Sequence, residues 1–129
     1  MTNKLLSILG LLAISLAACG EKGQELTIPA QRWKEADVRI ETHPNPPLAG
    51  MSEIVVIVTG PRGRPIQDLT VSLRSADSMP WVQAIQDGQI GVYRRAIDIG
   101  DGESVVLQVL LLQGKEEKIL LFPIKLAAS

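Results

Sequence analysis

Few residues of this chain carry side chains suited to covalent chemistry. The one cysteine, Cys19, follows the small-residue stretch Leu16-Ala17-Ala18, and the one histidine, His43, stands directly before a proline. A single thiol cannot form an internal disulfide, a CxxC pair or a thiolate metal site. The chain therefore offers one isolated thiol and one imidazole as its reactive groups.

The acidic and imidazole side chains do not form a recognisable catalytic pattern. Asp98, Asp101 and Glu103 gather near one turn, where acids usually contact solvent or their own backbone. Their spacing is not that of a calcium-binding EF-hand loop. His43 lies in a rigid proline-rich segment, which makes a Ser-His-Asp site hard to build. We therefore predict that the protein is not an enzyme and binds no cofactor.

Three side chains beyond Cys19 are candidate ligands for a soft metal. Copper outside the cytoplasm favours thioether and imidazole ligands, which the chain offers at His43, Met51 and Met79. These residues meet only if the proline-rich segment and the loop around Met79 lie at the same end of the fold. The sulfur of Met79 could equally pack on nearby Trp81. Three scattered candidates fall short of a ligand set with recognisable spacing, so we predict no metal site.

The residues before Cys19 have the features of a secretory signal. Met1–Lys4 is a short positively charged leader, and Leu5–Leu16 is an almost entirely apolar run. That run is roughly 12 residues long, whereas a membrane-spanning helix needs about 20. The pattern favours a signal peptide over residues 1–18 and disfavours a permanent transmembrane helix.

The N-terminal pattern as a whole resembles that of bacterial lipoprotein precursors. In that class the signal peptidase cuts immediately before the cysteine once its thiol is acylated, which implies a mature chain that begins at a lipid-bearing Cys19. Each buried CH₂ contributes about 0.8 kcal/mol, so the two or three fatty acyl chains expected there, palmitate among them, would anchor the protein firmly. Gly20 rather than an aspartate follows, which implies the outer membrane in a double-membraned bacterium. The expected location is the cell envelope, facing the periplasm.

The charge of the mature chain argues against a nucleic-acid partner. The full chain has 13 basic and 14 acidic residues, and loss of residues 1–18 removes Lys4 and no acid, so 12 and 14 remain and the formal charge is −2. No block of Lys or Arg forms a phosphate-binding patch. Residues 19–36 are polar and glycine-containing at first, and we predict a lipidated, flexible tether there. Within it, Pro29–Ala36 is compatible with a helical turn, and we expect Trp33 to cover core rather than to recognise a ligand.

Residues 37–129 are predicted to form one all-β domain. Short apolar segments with a two-residue period alternate with turn signals, which is typical of a sandwich or barrel. Pro123 predicts that the last strand lies at a sheet edge. Arg95 stands at inward parity in its strand, so we expect it to reach the sheet rim or to mark a bulge. We place seven strands at Asp37–Thr42, Ser52–Thr59, Asp68–Arg74, Trp81–Gln86, Ile90–Ile99, Glu103–Gln113 and Ile119–Leu126.

The order of several landmarks resembles the FixH/YtkA-like family of small bacterial immunoglobulin-like domains. The carrying motifs are Pro46–Gly50 before the second strand, Gly63–Ile66 before the third, Gly91–Tyr93 at the fifth and Gly102 before the sixth. The resemblance covers residues 37–126 and implies an immunoglobulin-like sandwich with a non-catalytic periplasmic role. It also implies an alternative role in copper handling or respiratory-oxidase assembly.

Some strands carry apolar residues at outward parity as well as inward. An exposed apolar face marks an interface in soluble proteins, although the tether or strand twist could equally cover it. We therefore predict a binding module, with an envelope protein as partner. Val55 and Ile57 of the second strand belong to the outward set, and the candidate partner surface in the last two strands comprises Val106, Leu110, Leu112, Ile119 and Leu121.

Overall fold

The computed structural model describes residues 26–127, which form an all-β, immunoglobulin-like sandwich. The predicted signal peptide 1–18, the predicted lipid site Cys19 and the first part of the predicted tether lie outside the described residues. Within the described range, no helix is long and apolar enough to cross a membrane. The strands there are β1 (Gln31–Trp33), β2 (Ala36–His43), β3 (Met51–Thr59), β4 (Leu69–Arg74), β5 (Val82–Gln83), β6 (Ile85–Gln86), β7 (Val92–Asp98), β8 (Ser104–Gln113) and β9 (Glu116–Lys125).

Two antiparallel sheets pack face to face. Sheet A has the order β1-β2-β3-β7-β6, and sheet B has the order β5-β4-β8-β9. The predicted alternation holds in β2, where Val38, Ile40 and Thr42 are buried and the residues between them are exposed. Successive side chains of a strand point to opposite faces, so one face of each strand supplies the core. The buried apolar residues at the centre of both sheets include Ile54, Val56, Val71, Leu73, Leu107, Val109, Leu111, Leu120, Phe122 and Ile124.

The sheet begins earlier in the chain than the predicted strands do. The helical turn predicted over Pro29–Ala36 is wrong, because Gln31–Trp33 forms β1 and pairs with β2 across a two-residue turn. Trp33 is buried, which confirms the expectation that it covers core. Leu26 and Ile28 pack against the same core. Part of the segment predicted as tether thus belongs to the sandwich.

The predicted fourth strand divides between the two sheets. Val82–Gln83 pairs with β4 in sheet B, whereas Ile85–Gln86 pairs with β7 in sheet A. Ala84 lies buried at the crossing and donates its backbone N–H to the Val71 carbonyl at 2.8 Å. A small side chain permits the strand to leave one sheet for the other, as happens at sandwich corners.

Strands β8 and β9 form the longest hairpin of the described chain. Gln113 pairs with Glu116, so the loop contains only Gly114 and Lys115 and is shorter than predicted. Gly114 has a φ of 63°, which a glycine at the first central position of such a turn adopts without strain. Pro123 lies in β9 at the edge of sheet B, as predicted.

Arg95 reaches the rim of the sandwich. Register between β3 and β7 is unbroken from Met51–Asp98 to Ile57–Val92, and Arg95 pairs with Ile54 within it. Of the two expected alternatives, rim and bulge, the structure therefore has the rim. The side chain of Arg95 is exposed at this rim, beside Met79 and Val82.

Candidate functional site

The chain enters the described domain beside the proline-rich loop. The backbone N–H of Leu26 donates to Asn45 Oδ1 at 2.9 Å, and Asn45 Nδ2 donates to the Leu26 carbonyl at 3.2 Å. This pair of hydrogen bonds fixes Leu26 at one end of the sandwich. The predicted lipid site Cys19 lies outside the described residues, and Leu26, the first described residue, lies at this end.

The structure brings together two of the three candidate metal ligands. Met51 and Met79 line one cavity of about 220 Å³, and Arg74, Pro80 and Arg95 also border it. His43, the last residue of β2, pairs with Glu53 and is not among the residues that line this cavity. Among the residues that the structure describes, no group of three or more His, Cys, Asp or Glu side chains could hold a metal ion.

The candidate partner surface lies on the outer face of sheet B. We call its five residues the apolar stripe: Val106, Leu110, Leu112, Ile119 and Leu121. Leu110 pairs with Ile119 across the β8–β9 ladder, so the stripe covers neighbouring strands. The exposed fractions are 48% for Val106, 42% for Ile119 and 52% for Leu121. Leu110 and Leu112 are half-buried. The outward parity predicted for these side chains is therefore confirmed.

The outer face of sheet A has a different character. Val55 is at outward parity there but is buried, since it pairs with Glu41 on one side and Arg94 on the other. The Arg94 guanidinium lies 3.4 Å from Asp87 Oδ2 and 3.5 Å from Glu53 Oε1. Long charged side chains cover apolar surface with their stems. Val55 is therefore covered and does not contribute to an exposed apolar face, which is one of the two alternatives that its outward parity left open.

A polar network borders the apolar stripe. Arg74 Nε donates to Gln108 Oε1 at 2.8 Å, and Gln108 Nε2 donates to Asp77 Oδ1 at 2.7 Å. The Arg74 guanidinium also stacks on the Trp81 ring, 4.2 Å from its centroid. The Trp81 ring is therefore in contact with the Arg74 guanidinium. This network orders the side of the face that β4 and β5 form. No local pattern in the sequence indicates it.

Charged residues mark the two ends of the stripe. Glu117 pairs with Leu112 at the hairpin end, and Lys125 pairs with Ser104 at the end where the tether joins. Both point to the outer face, because they share the parity of Ile119 and Leu121 along β9. The face thus has an apolar centre, an acid at one end and a base at the other.

The free edge of β9 is blocked against pairing with another strand. Gln31 Nε2 donates to the Leu121 carbonyl at 2.6 Å, so this carbonyl points away from β8. In an antiparallel ladder, every second residue points its backbone N–H and C=O to the same side of the strand. Pro123 therefore faces the free edge of β9, as Leu121 does. As a proline it has no N–H to donate there. An occupied carbonyl and a proline protect an edge strand from aggregation. The accessible feature of β9 is therefore its face.

A second cavity and the clustered acids have ordinary structural surroundings. The cavity of about 550 Å³ lies between β4 and the β6–β7 loop, and Tyr93 is among its lining residues. Burial raises the pKa of the Tyr93 hydroxyl, which keeps it protonated in neutral solution. Asp98 Oδ1 accepts the Gly100 backbone N–H at 2.9 Å, the local turn bond expected of an acid at this position.

Comparison with protein-family models, curated proteins and solved structures finds no match to the chain.

Proposed function

We propose that this protein is a lipid-anchored, non-catalytic accessory of the bacterial cell envelope, which binds a partner protein through the apolar stripe. The observation that carries the proposal is the exposure of Val106, Ile119 and Leu121 on one face of sheet B. Adjacent exposed aliphatic side chains on a sheet face are typical of interaction sites. The resemblance to lipoprotein precursors and to FixH/YtkA-like domains supports the envelope location.

The two outer faces of the sandwich support the choice of surface. On sheet A, the outward residues of β2 are polar or charged, and Arg94 with its acidic partners covers Val55. On sheet B, the outward residues of β8 and β9 are mainly aliphatic between Glu117 and Lys125. A monomeric sandwich does not need this asymmetry, whereas a binding module does.

The partner that fits this face has an apolar centre with a basic group opposite Glu117 and an acidic group opposite Lys125. A second copy of the chain fits poorly. Face-to-face pairing with antiparallel strands would bring Glu117 to Lys125 of the other copy, but it would direct the two tethers away from each other, which one membrane does not allow. Pairing with parallel strands would place like charges together, which is destabilising. We therefore propose a different protein of the same membrane.

Site-specific crosslinking in cells tests this proposal. A photo-crosslinking amino acid at Leu121 should give one defined adduct with a membrane-associated protein. Leu121→Lys, combined with the crosslinker at Ile119, should abolish that adduct because it places a charge in the apolar centre.

The matched control is Ile85, an exposed aliphatic residue in sheet A. A crosslinker at Ile85 should give no defined adduct. Equal adducts at Leu121 and Ile85, or an adduct only between copies of this chain, would contradict the proposal.

A second candidate function, copper handling, is favoured by one observation. Met51 and Met79 share a cavity at the tether end of the sandwich, and thioethers are ligands that Cu(I) prefers. This function predicts Cu(I) binding that is lost in Met51→Leu and in Met79→Leu, because leucine keeps the volume but has no sulfur. A dialysed sample that retains no copper would remove this candidate.

A further inference from the structure

The end of the sandwich where the chain enters is built from several segments joined by hydrogen bonds. We call this end the tether pole and define it as Leu26, residues 44–51, residues 75–80, residues 98–103 and Leu126. Backbone hydrogen bonds link Gly50 with Gly100 and Ile99, Leu126 with Glu103, and Ala127 with Pro47, at 2.8 to 3.0 Å. The tether pole is therefore one connected surface.

Two aliphatic side chains project from the tether pole. Leu48 is 48% exposed and Met51 is 63% exposed, although neighbouring Pro47 is fully buried. Ser52 Oγ donates to the Leu48 carbonyl at 3.1 Å, which fixes the loop that carries Leu48. Met79, from the loop 75–80, lies near Met51 and is also exposed. Apolar side chains that are exposed together on a fixed loop are typical of surfaces that contact a protein or a membrane.

The chain length between the predicted anchor and the domain restricts where the tether pole lies. From Cys19 to Leu26 the chain can span at most about 25 Å, taking roughly 3.5 Å for each residue. The ten-residue strands β8 and β9 are about 33 Å long at roughly 3.3 Å per residue. A domain joined to its lipid anchor by so short a segment keeps the end that carries Leu26 near the bilayer. Ile90, in the loop between β6 and β7, is exposed at the opposite end of the sandwich from Leu26.

We propose that the tether pole docks on the membrane and inserts Leu48 and Met51 into the bilayer interface. This inference rests on the lipid anchor of the proposed function. Asp98, Asp101 and Glu103 are exposed at the same pole, with Lys125 as a neighbouring base. The acids would be repelled by anionic headgroups, so the surface suits neutral phospholipid. The apolar stripe then stands along the membrane normal, where a partner in the same membrane can approach it from the side.

A fluorescent reporter at chosen positions of the lipidated, full mature chain tests this proposal. Because acylation blocks the sulfur of Cys19, a new cysteine in Leu48→Cys or Met51→Cys can be labelled alone with an environment-sensitive dye. In vesicles of phosphatidylethanolamine and phosphatidylcholine, both labels should shift to shorter emission wavelength and be quenched by spin-labelled lipid. The matched control is Ile90→Cys, an equally exposed apolar position at the far end, and its label should do neither.

The outcomes separate the docking from the anchor. If labels at positions 48 and 51 behave like the label at position 90 while mass spectrometry shows acyl chains on Cys19, the docking is overturned and the anchor stands. An unmodified Cys19 in material purified from membranes overturns both. A larger spectral shift in phosphatidylglycerol vesicles would overturn the choice of neutral lipid. Far-UV circular dichroism verifies the fold of each labelled protein, and two independent positions protect the test against one variant that misfolds.

Discussion

The adjacent leucines Leu120 and Leu121 of β9 point to opposite faces of sheet B and should respond differently to the same truncation. Leu120 is 5% exposed and belongs to the core, whereas Leu121 is 52% exposed and belongs to the apolar stripe. Leu→Ala in a core costs about 2–5 kcal/mol, since a cavity remains in addition to the lost apolar burial. At Leu121 no closed cavity forms and much of the side chain is already in water, so the expected cost is about 1 kcal/mol or less.

Urea denaturation of the soluble chain from Gly20 measures this difference. We expect Leu120→Ala to lower the midpoint strongly with an unchanged m-value, and Leu121→Ala to lower it slightly. In a domain of this size each 1 kcal/mol shifts Tm by about 4–8 °C. Leu120→Ala should therefore lower Tm by about 10 °C or more, and Leu121→Ala by only a few degrees.

A second pair of residues on β8 serves as the control. Val109 is fully buried and Val106 is 48% exposed, so Val109→Ala should cost more than Val106→Ala. Equal losses of stability within both pairs would contradict a difference in burial between the two faces of sheet B. Such a result would mean that the apolar stripe is covered in the monomer and belongs to the core.

Three further predictions concern the fold. Trp33→Ala should destabilise the domain by about 3–5 kcal/mol in a denaturant titration, because Trp33 is buried in β1; a loss below about 1 kcal/mol would mean that β1 is dispensable. Gly91→Ala should cost about 1–3 kcal/mol, because Gly91 has a φ of 93° and an added Cβ would lie 2.9 Å from the Val58 carbonyl oxygen. At Gly88 no atom lies within 4 Å of an added Cβ, so Gly88→Ala should cost less. A larger loss of stability for Gly88→Ala than for Gly91→Ala would contradict the packing of this loop. Burial raises the pKa of the Tyr93 hydroxyl above its ordinary value of 10.0. As the pH rises through 10.0, the unfolded chain therefore loses this proton before the folded chain does, and the stability of the fold decreases. Tyr93→Phe should remove that part of the alkaline loss, and an identical pH profile in both proteins would contradict it.

The sequence was most informative where strands have one buried face. In β2, β4 and β8 the two-residue alternation placed Val38, Val71 and Leu107 in the core, and the structure has them there. The same two-residue alternation placed the apolar stripe on the other face of β8 and β9. The edge position of β9 followed from Pro123, because proline cannot donate to a ladder.

Local pattern failed where tertiary packing decides. β1 has only three residues with no clear alternation, and it is a strand because β2 offers an edge and the core accepts Trp33. The division of β5 from β6 at Ala84 depends on which sheet is nearer, which spacing along the chain does not reveal. For Arg95 the local pattern left a rim position and a bulge open, and only the unbroken β3–β7 register decides for the rim.

The polar parts of the site were also beyond reach of the sequence. Arg74, Gln108 and Asp77 come from separate segments, and only the β4–β8 register brings them together. The Arg74 stack on Trp81 likewise depends on where the loop 75–80 returns the chain. For the tether pole, the proline-rich loop was recognised as rigid, but the hydrogen bonds that join Leu26 to Asn45 carry no local signal.

Mass spectrometry of the N-terminal peptide, from protein purified out of native membranes, measures directly whether the protein is a lipid-anchored envelope protein. We expect a chain that begins at Cys19, with residues 1–18 absent and a diacylglyceryl group on the cysteine sulfur. An N-terminal peptide that retains residues 1–18, or one with an unmodified Cys19 thiol, would contradict it.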